Sequence, residues 1–482
     1  MTSSPSLPPS EHAPLSPAET GESLQRAGHL AEAEAAYRAR LAKNPNDAVT
    51  LSNYGGLLCD AAAFEPALEV LTRAVALAPE LADAWSNLGS VLHSLQRYDE
   101  AVDAYSRCLR LNQSHAFALS NLGITLDCQG RHEMAQKFHR IAVDLEPENG
   151  ESHTNYAISL LSQGDYERGF AEYEWRWKTR TTRPHEFDGQ LWHGEAFRGK
   201  TLLIHTEGGF GDMLQFARFI PLVAQRGGRV IVRIRPELLS LLANSFPETE
   251  FVTEKEPAPP YDLQCPVLSL PPALGITLDT LPSPEGFLRP DPRKVDGWAA
   301  RIRQDISSGY PLKIGLVWAG APHSEIREAE IADRRRSTTL ATLAPLAQAV
   351  PDAIFYSLQV GDQAWQARTP PAGMRLIDNT SELKDFGDTA ALIANLDLVI
   401  AVDTSTAHVA AAIGKPVWLL SRYDQCWRWL SGRTDSPWYD SVRIYQQDRP
   451  LDWSGPITRI VADLRKVEAE HQHTEALSPT AS

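Results

Sequence analysis

The sequence predicts an α plus α/β protein, with an N-terminal solenoid of paired helices followed by two doubly wound α/β lobes. Three observations carry that prediction. A 34-residue period runs through the first third of the chain, where Asn53, Asn87, Asn121 and Asn155 recur in step. After residue 183 short β-rich runs alternate with helical ones, the pattern of parallel sheets with crossover helices. That alternation breaks near 290–312 and then restarts, giving two blocks. A length of 482 residues with 43% apolar residues leaves room for several packed domains. A net charge of -15 argues against general nucleic-acid binding, which needs clustered Lys and Arg. The five cysteines form no CxxC pair and read as reduced, buried thiols. No apolar run approaches the ~20 residues needed to cross a bilayer, and the first residues lack a signal-peptide pattern. The expected location is cytoplasmic.

The repeat justifies the solenoid. Gly21, Gly55, Gly89 and Gly123 keep the period, as do Leu24, Leu58, Leu92, Leu126 and Leu160, and Ala33, Ala67, Ala101 and Ala135. Five units result, near 14–47, 48–81, 82–115, 116–149 and 150–183. Each reads as two amphipathic helices whose small residues mark close crossings. Pro45, Pro79 and Pro147 break the chain between units. Asn53, Asn87 and Asn121 either satisfy helix backbones or contact a bound peptide. Residues 1–13 and 469–482 read as disordered tails.

The first lobe, 184–310, contains the strands "TLLIHT" and "RVIVRI". Between them lies "TEGGFGDMLQFARF". Its turn opens a helix, so the amides around Gly209 and Gly211 can face an anion. No GK[ST] follows, and Leu214 stands where a dinucleotide fingerprint needs its third glycine. Asp212 is open to two readings, a helix cap or a general base. Glu207 is the reserve acid, and Gln215 can position an acceptor. The second lobe, 311–468, contains "KIGLVWA", "AIFYSL", "LDLVIAV" and "PVWLLS". Asp403 ends one strand, and Thr404 and Ser405 start a helix whose positive end suits a phosphate. His408 shares the helix face of Thr404. Gln359 follows another strand, where a base or ribose can be read. Arg334, Arg335 and Arg336 form either a solvated run or an oxyanion clamp. Trp427, Arg428, Trp429, Trp438 and Tyr439 can stack on a ligand or pack a core. No metal cluster or cofactor motif is apparent.

"DAWSNLGSVLHSLQRYDEAVDAYSRCLRLN" resembles the tetratricopeptide repeat, a family that binds proteins on the concave helices carrying Asn53, Asn87 and Asn121. "EGGFGDMLQFARFIP", "DRRRST", "YSLQVGD", "DTSTAH" and "GKPVW" resemble the repeat-linked bacterial glycosyltransferases related to heptosyltransferases. That resemblance covers about 190–465. It implies a GT-B fold, with the acceptor on the first lobe and a nucleotide-sugar donor on the second. It also implies metal-independent, inverting transfer. It makes Asp212 the base and Arg336 and His408 donor ligands, beside Gly209, Gly211, Gln359, Asp403, Thr404 and Ser405. Ser405 departs from the glycine common at that place. With the repeats selecting the acceptor, a protein such as flagellin is the implied substrate. A glycan or lipid precursor is the alternative acceptor, and a non-catalytic scaffold is the alternative role.

Overall fold

The computed structural model describes residues 17–179, 187–283, 285–306, 309–321 and 327–477. The expected tail at 1–13, the start of the first repeat and the last five residues lie outside these. The chain divides into two compact units that meet in sequence near Pro147 and Glu148.

The first unit contains four helix pairs: Pro17–Arg26 with Leu30–Lys43, Ala48–Asp60 with Phe64–Leu77, Ala82–Ser94 with Tyr98–Leu111, and Ala116–Cys128 with His132–Leu145. The periodic glycines explain the pairing. A Cβ on Gly21, Gly55, Gly89 or Gly123 would run into Tyr37, Leu71, Tyr105 or His139, each sixteen residues later on the partner helix. The large side chain fills the space that the glycine leaves. Among the asparagines, Asn87 donates from Nδ2 to the carbonyl and hydroxyl of Ser52, both at 3.2 Å, tying one repeat to the preceding one. Asn53 and Asn121 are half-buried.

The second unit begins with the fifth helix pair, Gly150–Ser162 and Tyr166–Tyr173. Its period assigns it to the repeats, but its packing joins it to the α/β part. Leu161, Tyr166 and Phe170 belong to the same buried core as both sheets. The first sheet contains β1 (Gln190–Leu191), β2 (Thr201–His205), β3 (Arg229–Ile234), β4 (Glu250–Thr253) and β5 (Leu263–Pro266), in the order β1-β5-β2-β3-β4. The second contains β6 (Lys313–Val317), β7 (Ile354–Ser357), β8 (Leu376–Asp378), β9 (Leu398–Val402), β10 (Val417–Ser421) and β11 (Val442–Gln446), in the order β11-β10-β9-β6-β7-β8. Every pair in both sheets is parallel. β9 and β10 are buried along their whole length, as strands covered on both faces must be.

Two expected boundaries move. Helix Pro292–Asp305, placed in the first lobe by sequence, is fastened to the second. Lys294 pairs with Asp385 at 3.2 Å and Asp388 at 2.8 Å, Arg301 pairs with Glu382 at 2.9 Å, and Asn395 donates to the Val295 carbonyl at 3.0 Å. At the other end, residues 469–477 are not a tail but the last turns of helix Ser454–Leu477.

Candidate active site

In each sheet the strand order reverses at one place: between β2 and β5 in the first, and between β9 and β6 in the second. Ligands of open parallel sheets bind beyond the carboxyl ends of strands at such switch points. The glycine-rich stretch follows β2, and Asp403 follows β9.

The turn after β2 is built around Asp212. Gly208 is left-handed at φ +72°, and a Cβ there would strike the Asp212 carboxylate. Helix Phe210–Phe216 starts at Gly209, whose N–H donates to Asp212 Oδ2 at 2.7 Å. The N-cap is thus Gly209 and not Asp212, which sits at the third helical position and reaches back to the N-cap N–H. The other oxygen, Oδ1, accepts from Arg428 Nη2 across to the second lobe. Arg235 braces the turn from β3, donating to the Gly208 carbonyl at 2.6 Å. Glu207 is fully engaged elsewhere. Arg176 of the fifth repeat grips it with two bonds, at 2.5 and 2.8 Å. Burial pushes the Glu207 carboxyl above its ordinary range, although Arg176 pulls the other way.

Gln215 corrects the sequence reading. Its side chain is 0% exposed, and neither amide atom has a hydrogen-bond partner, so it does not face an acceptor. The signal was present: Met213, Leu214, Phe216 and Ala217 surround it, and a helix apolar on all sides is buried. Arg218 is buried beside it and lies over the rings of Phe287, Trp438 and Tyr439 at 4.6, 5.3 and 4.8 Å.

On the second lobe, helix Ser405–Ala412 starts at Thr404, whose hydroxyl donates to the Val402 carbonyl at 3.2 Å. His408 is enclosed. Its Nδ1 lies 3.1 Å from the Tyr439 hydroxyl, its Nε2 lies 4.0 Å from Asp403 Oδ1, and its ring stacks on Trp429 at 5.0 Å. Burial lowers its pKa to about 4 against the partial opposition of Asp403, so the ring is neutral at pH 7. The two lobes meet here. A Cβ on Gly211 would lie 3.0 Å from His408 Cδ2, and Phe210 packs on Phe386 at 5.0 Å.

The three arginines have three fates. Arg334 is exposed and pairs with Glu330 at 3.2 Å. Arg335 is half-buried and pairs with Asp424 at 2.8 Å. Arg336 sits in the last turn of helix Arg327–Arg336, with Nε on Asp333 at 3.0 Å and Nη1 donating to the Asp403 carbonyl at 3.0 Å. Gly320 makes this possible, because a Cβ there would occupy the place of the Asp333 carboxylate and the Arg336 guanidinium. Gln359 corrects a second expectation. Its Oε1 accepts from Trp318 N and Ala319 N at 3.0 and 2.8 Å, and its Nε2 donates to the Ala319 and Val360 carbonyls at 3.0 and 2.9 Å. It shapes the loop after β6 and has no capacity left for a nucleotide. Beside it a cavity of about 460 Å³ is lined by Val360, Asp362, Trp365, Arg368, Asp378 and Thr380. Trp427 and Trp438 resolve toward packing, against Phe170 at 5.9 Å and Tyr166 at 5.8 Å. Among the described residues no cluster suited to a metal ion occurs, and no helix is long and apolar enough to cross a membrane.

Comparison with known proteins supports a tetratricopeptide-linked glycosyltransferase. Residues 80–148 match the tetratricopeptide repeat, and residues 383–444, which include Asp403 through His408, match glycosyltransferase family 9 (heptosyltransferase). Among individual proteins, the chain is 28% identical over 335 residues to Protein FlbA of Caulobacter vibrioides, covering 62% of this chain and 52% of FlbA. The chain thus spans about half the length of that curated relative. Two solved repeat proteins overlap it. MamA is 24% identical, with a TM-score of 0.29, over 33% of this chain and 92% of its own. A thermophilic tetratricopeptide-repeat protein of Thermus thermophilus is 21% identical, with a TM-score of 0.32, over 34% and 90%.

Proposed function

We propose that this protein transfers a sugar from a nucleotide-activated donor to a hydroxyl of a protein acceptor, without a metal ion and with inversion at the anomeric carbon. The observation that supports this reading is the close packing of Gly211 against His408, which sets the Asp212 turn beside the Asp403–His408 segment. The donor diphosphate lies at the start of helix Ser405–Ala412, where Arg336 and the helix end offset its charge. The nucleobase occupies the cavity beside Trp365, stacking on that ring. Asp212 takes the acceptor proton from the opposite side. The acceptor oxygen bonds to the anomeric carbon as the bond to phosphate breaks, and the electron pair leaves on the phosphate oxygen. The repeats, through the face that carries Asn53, Asn87 and Asn121, hold the protein acceptor and raise its effective concentration. A secreted bacterial protein such as flagellin suits this architecture, and the reaction belongs in the cytoplasm, where nucleotide sugars are made.

The test is a panel of UDP-, GDP-, ADP-, dTDP- and CMP-sugars assayed for binding and hydrolysis, followed by mass spectrometry of host proteins with and without the chain. Binding and slow hydrolysis of one donor, with a mass gain of one glycosyl residue on a host protein, is the expected result. Failure of every donor to bind leaves a repeat scaffold as the better reading.

A further inference from the structure

We propose that Arg428 is a phosphate ligand of the donor site that Asp212 holds in competition, so that diphosphate and acceptor base share one guanidinium. The inference rests on the donor reading above and adds a residue to it.

Arg428 is rooted on the donor side. It lies in the 3-10 turn Trp427–Trp429, beyond the carboxyl end of β10, and its neighbour Trp429 stacks on His408. Yet its guanidinium leaves the donor side for the first lobe. Nη2 pairs with Asp212 Oδ1, Nη1 touches the Cys426 sulfur at 3.4 Å, and the group lies over the Trp427 ring at 4.5 Å. A guanidinium has five N–H donors in a fork suited to two oxygens at once. Here it meets one carboxylate oxygen and a thiol, which is a weak acceptor. The contact is largely withdrawn from water, with side-chain exposures of 17% for Arg428 and 15% for Asp212.

Asp212 is the other half of the argument. Oδ2 holds the Gly209 N–H, and Oδ1 holds Arg428. Each carboxylate oxygen can accept a second bond, but a hydroxyl reaches either one most freely once its present partner is released. Release of Gly209 would undo the start of helix Phe210–Phe216. Release of Arg428 needs only a stronger anion within reach. A diphosphate carries more charge than a carboxylate and accepts the guanidinium fork bidentately. Donor arrival then draws Arg428 off Asp212 and frees Oδ1 as a base, which couples base activation to the presence of donor.

The experiment is a double-mutant cycle on the full chain, with inorganic pyrophosphate as the probe and calorimetry as the readout. Asp212→Asn is expected to tighten pyrophosphate about five- to tenfold, in the range of ordinary coupling between two sites. Arg428→Gln is expected to weaken it about tenfold, and in that background Asp212→Asn is expected to change affinity less than about twofold, because the guanidinium being contested is gone. Arg428→Lys serves if the Gln variant loses its cooperative melt. It keeps the charge without the fork, and is expected to weaken pyrophosphate about threefold or more and to halve the Asp212→Asn effect. Equal tightening by Asp212→Asn in both backgrounds would be general relief of charge repulsion and would overturn the assignment. So would unchanged affinity in the Arg428 variants, or no pyrophosphate binding to any form. If wild type hydrolyses a nucleotide sugar while the cycle is additive, only the Arg428 assignment falls. If no nucleotide sugar binds, the donor reading falls with it.

Discussion

Replacing Arg176 with methionine should unfold the α/β unit several degrees early, although residue 176 belongs to the last repeat. Arg176 is 4% exposed at its side chain, and Glu207 is 14% exposed. The guanidinium bonds both Glu207 oxygens, reaches Glu174 Oε1 at 2.7 Å and Ser269 Oγ at 2.8 Å, and lies over the Tyr173 and Trp177 rings at 5.0 and 4.6 Å. Removing it leaves the buried Glu207 carboxylate facing the half-buried Glu174 with no cation between them. Breaking a buried pair on one side costs about 3–5 kcal/mol. At roughly 2 °C per kcal/mol for a unit of this size, the melting temperature should fall by about 6–10 °C. Scanning calorimetry of the full chain measures this on the transition of the second unit. The sign of the pH dependence follows from Glu207, whose carboxyl burial already pushes upward and which loses its compensating cation in the variant. A raised carboxyl pKa costs stability only while the group must be ionised, so the deficit should shrink as the pH falls from 7 to 5. Adding Glu207→Gln to Arg176→Met should likewise recover part of the loss. A melting temperature within about 1 °C of wild type, unimproved by the second substitution, would refute the claim that this ion pair fastens the fifth repeat to the first lobe.

Three further outcomes are expected. With a folded pKa of about 4 against an ordinary 6.5, His408 excludes a proton that the unfolded chain binds between those values. Stability should therefore fall as pH drops through that window, by up to about 3 kcal/mol, and His408→Gln should flatten that part of a denaturant-midpoint profile. Gln215→Met removes two buried amide atoms that lack partners, and should raise stability by about 1–2 kcal/mol in urea titrations without slowing transfer. A chain reduced to residues 148–482 should melt cooperatively and still hydrolyse donor, but should lose modification of the protein acceptor. Retention of that modification at the normal rate would point to a small-molecule or lipid-linked acceptor instead.

The repeats were readable in the sequence because their physics is local. A glycine and its large partner sixteen residues later recur every 34 positions, and both faces of that contact lie within one unit. Four of the six strands of the second lobe were equally open to view, because buried parallel strands are continuous apolar runs, whereas β8 and β11 were not read as strands. What escaped were allegiances between distant segments. The period of 150–183 says nothing of what its second helix packs on, and the pairing of Arg176 with Glu207 joins positions 31 residues apart. The same holds for helix Pro292–Asp305, whose Lys294 and Arg301 find their acids about ninety and eighty residues on, in the second lobe. At the site, the residue types and their strand ends were visible, but not which polar groups were already spent. Gln359 is consumed by the loop after β6, and Arg335 by Asp424. Arg428 reads from sequence as one member of an aromatic cluster, and only the fold carries its guanidinium to Asp212.

The most direct test of the account is the transfer rate of Asp212→Asn with the donor identified by the panel, measured beside its donor affinity. The asparagine amide keeps the size of the side chain but cannot take the acceptor proton. Turnover should fall by about 10²–10⁴-fold while donor binding is kept or tightened. Turnover within about threefold of wild type would contradict the account and leave Asp212 as the brace of its helix start and the partner of Arg428.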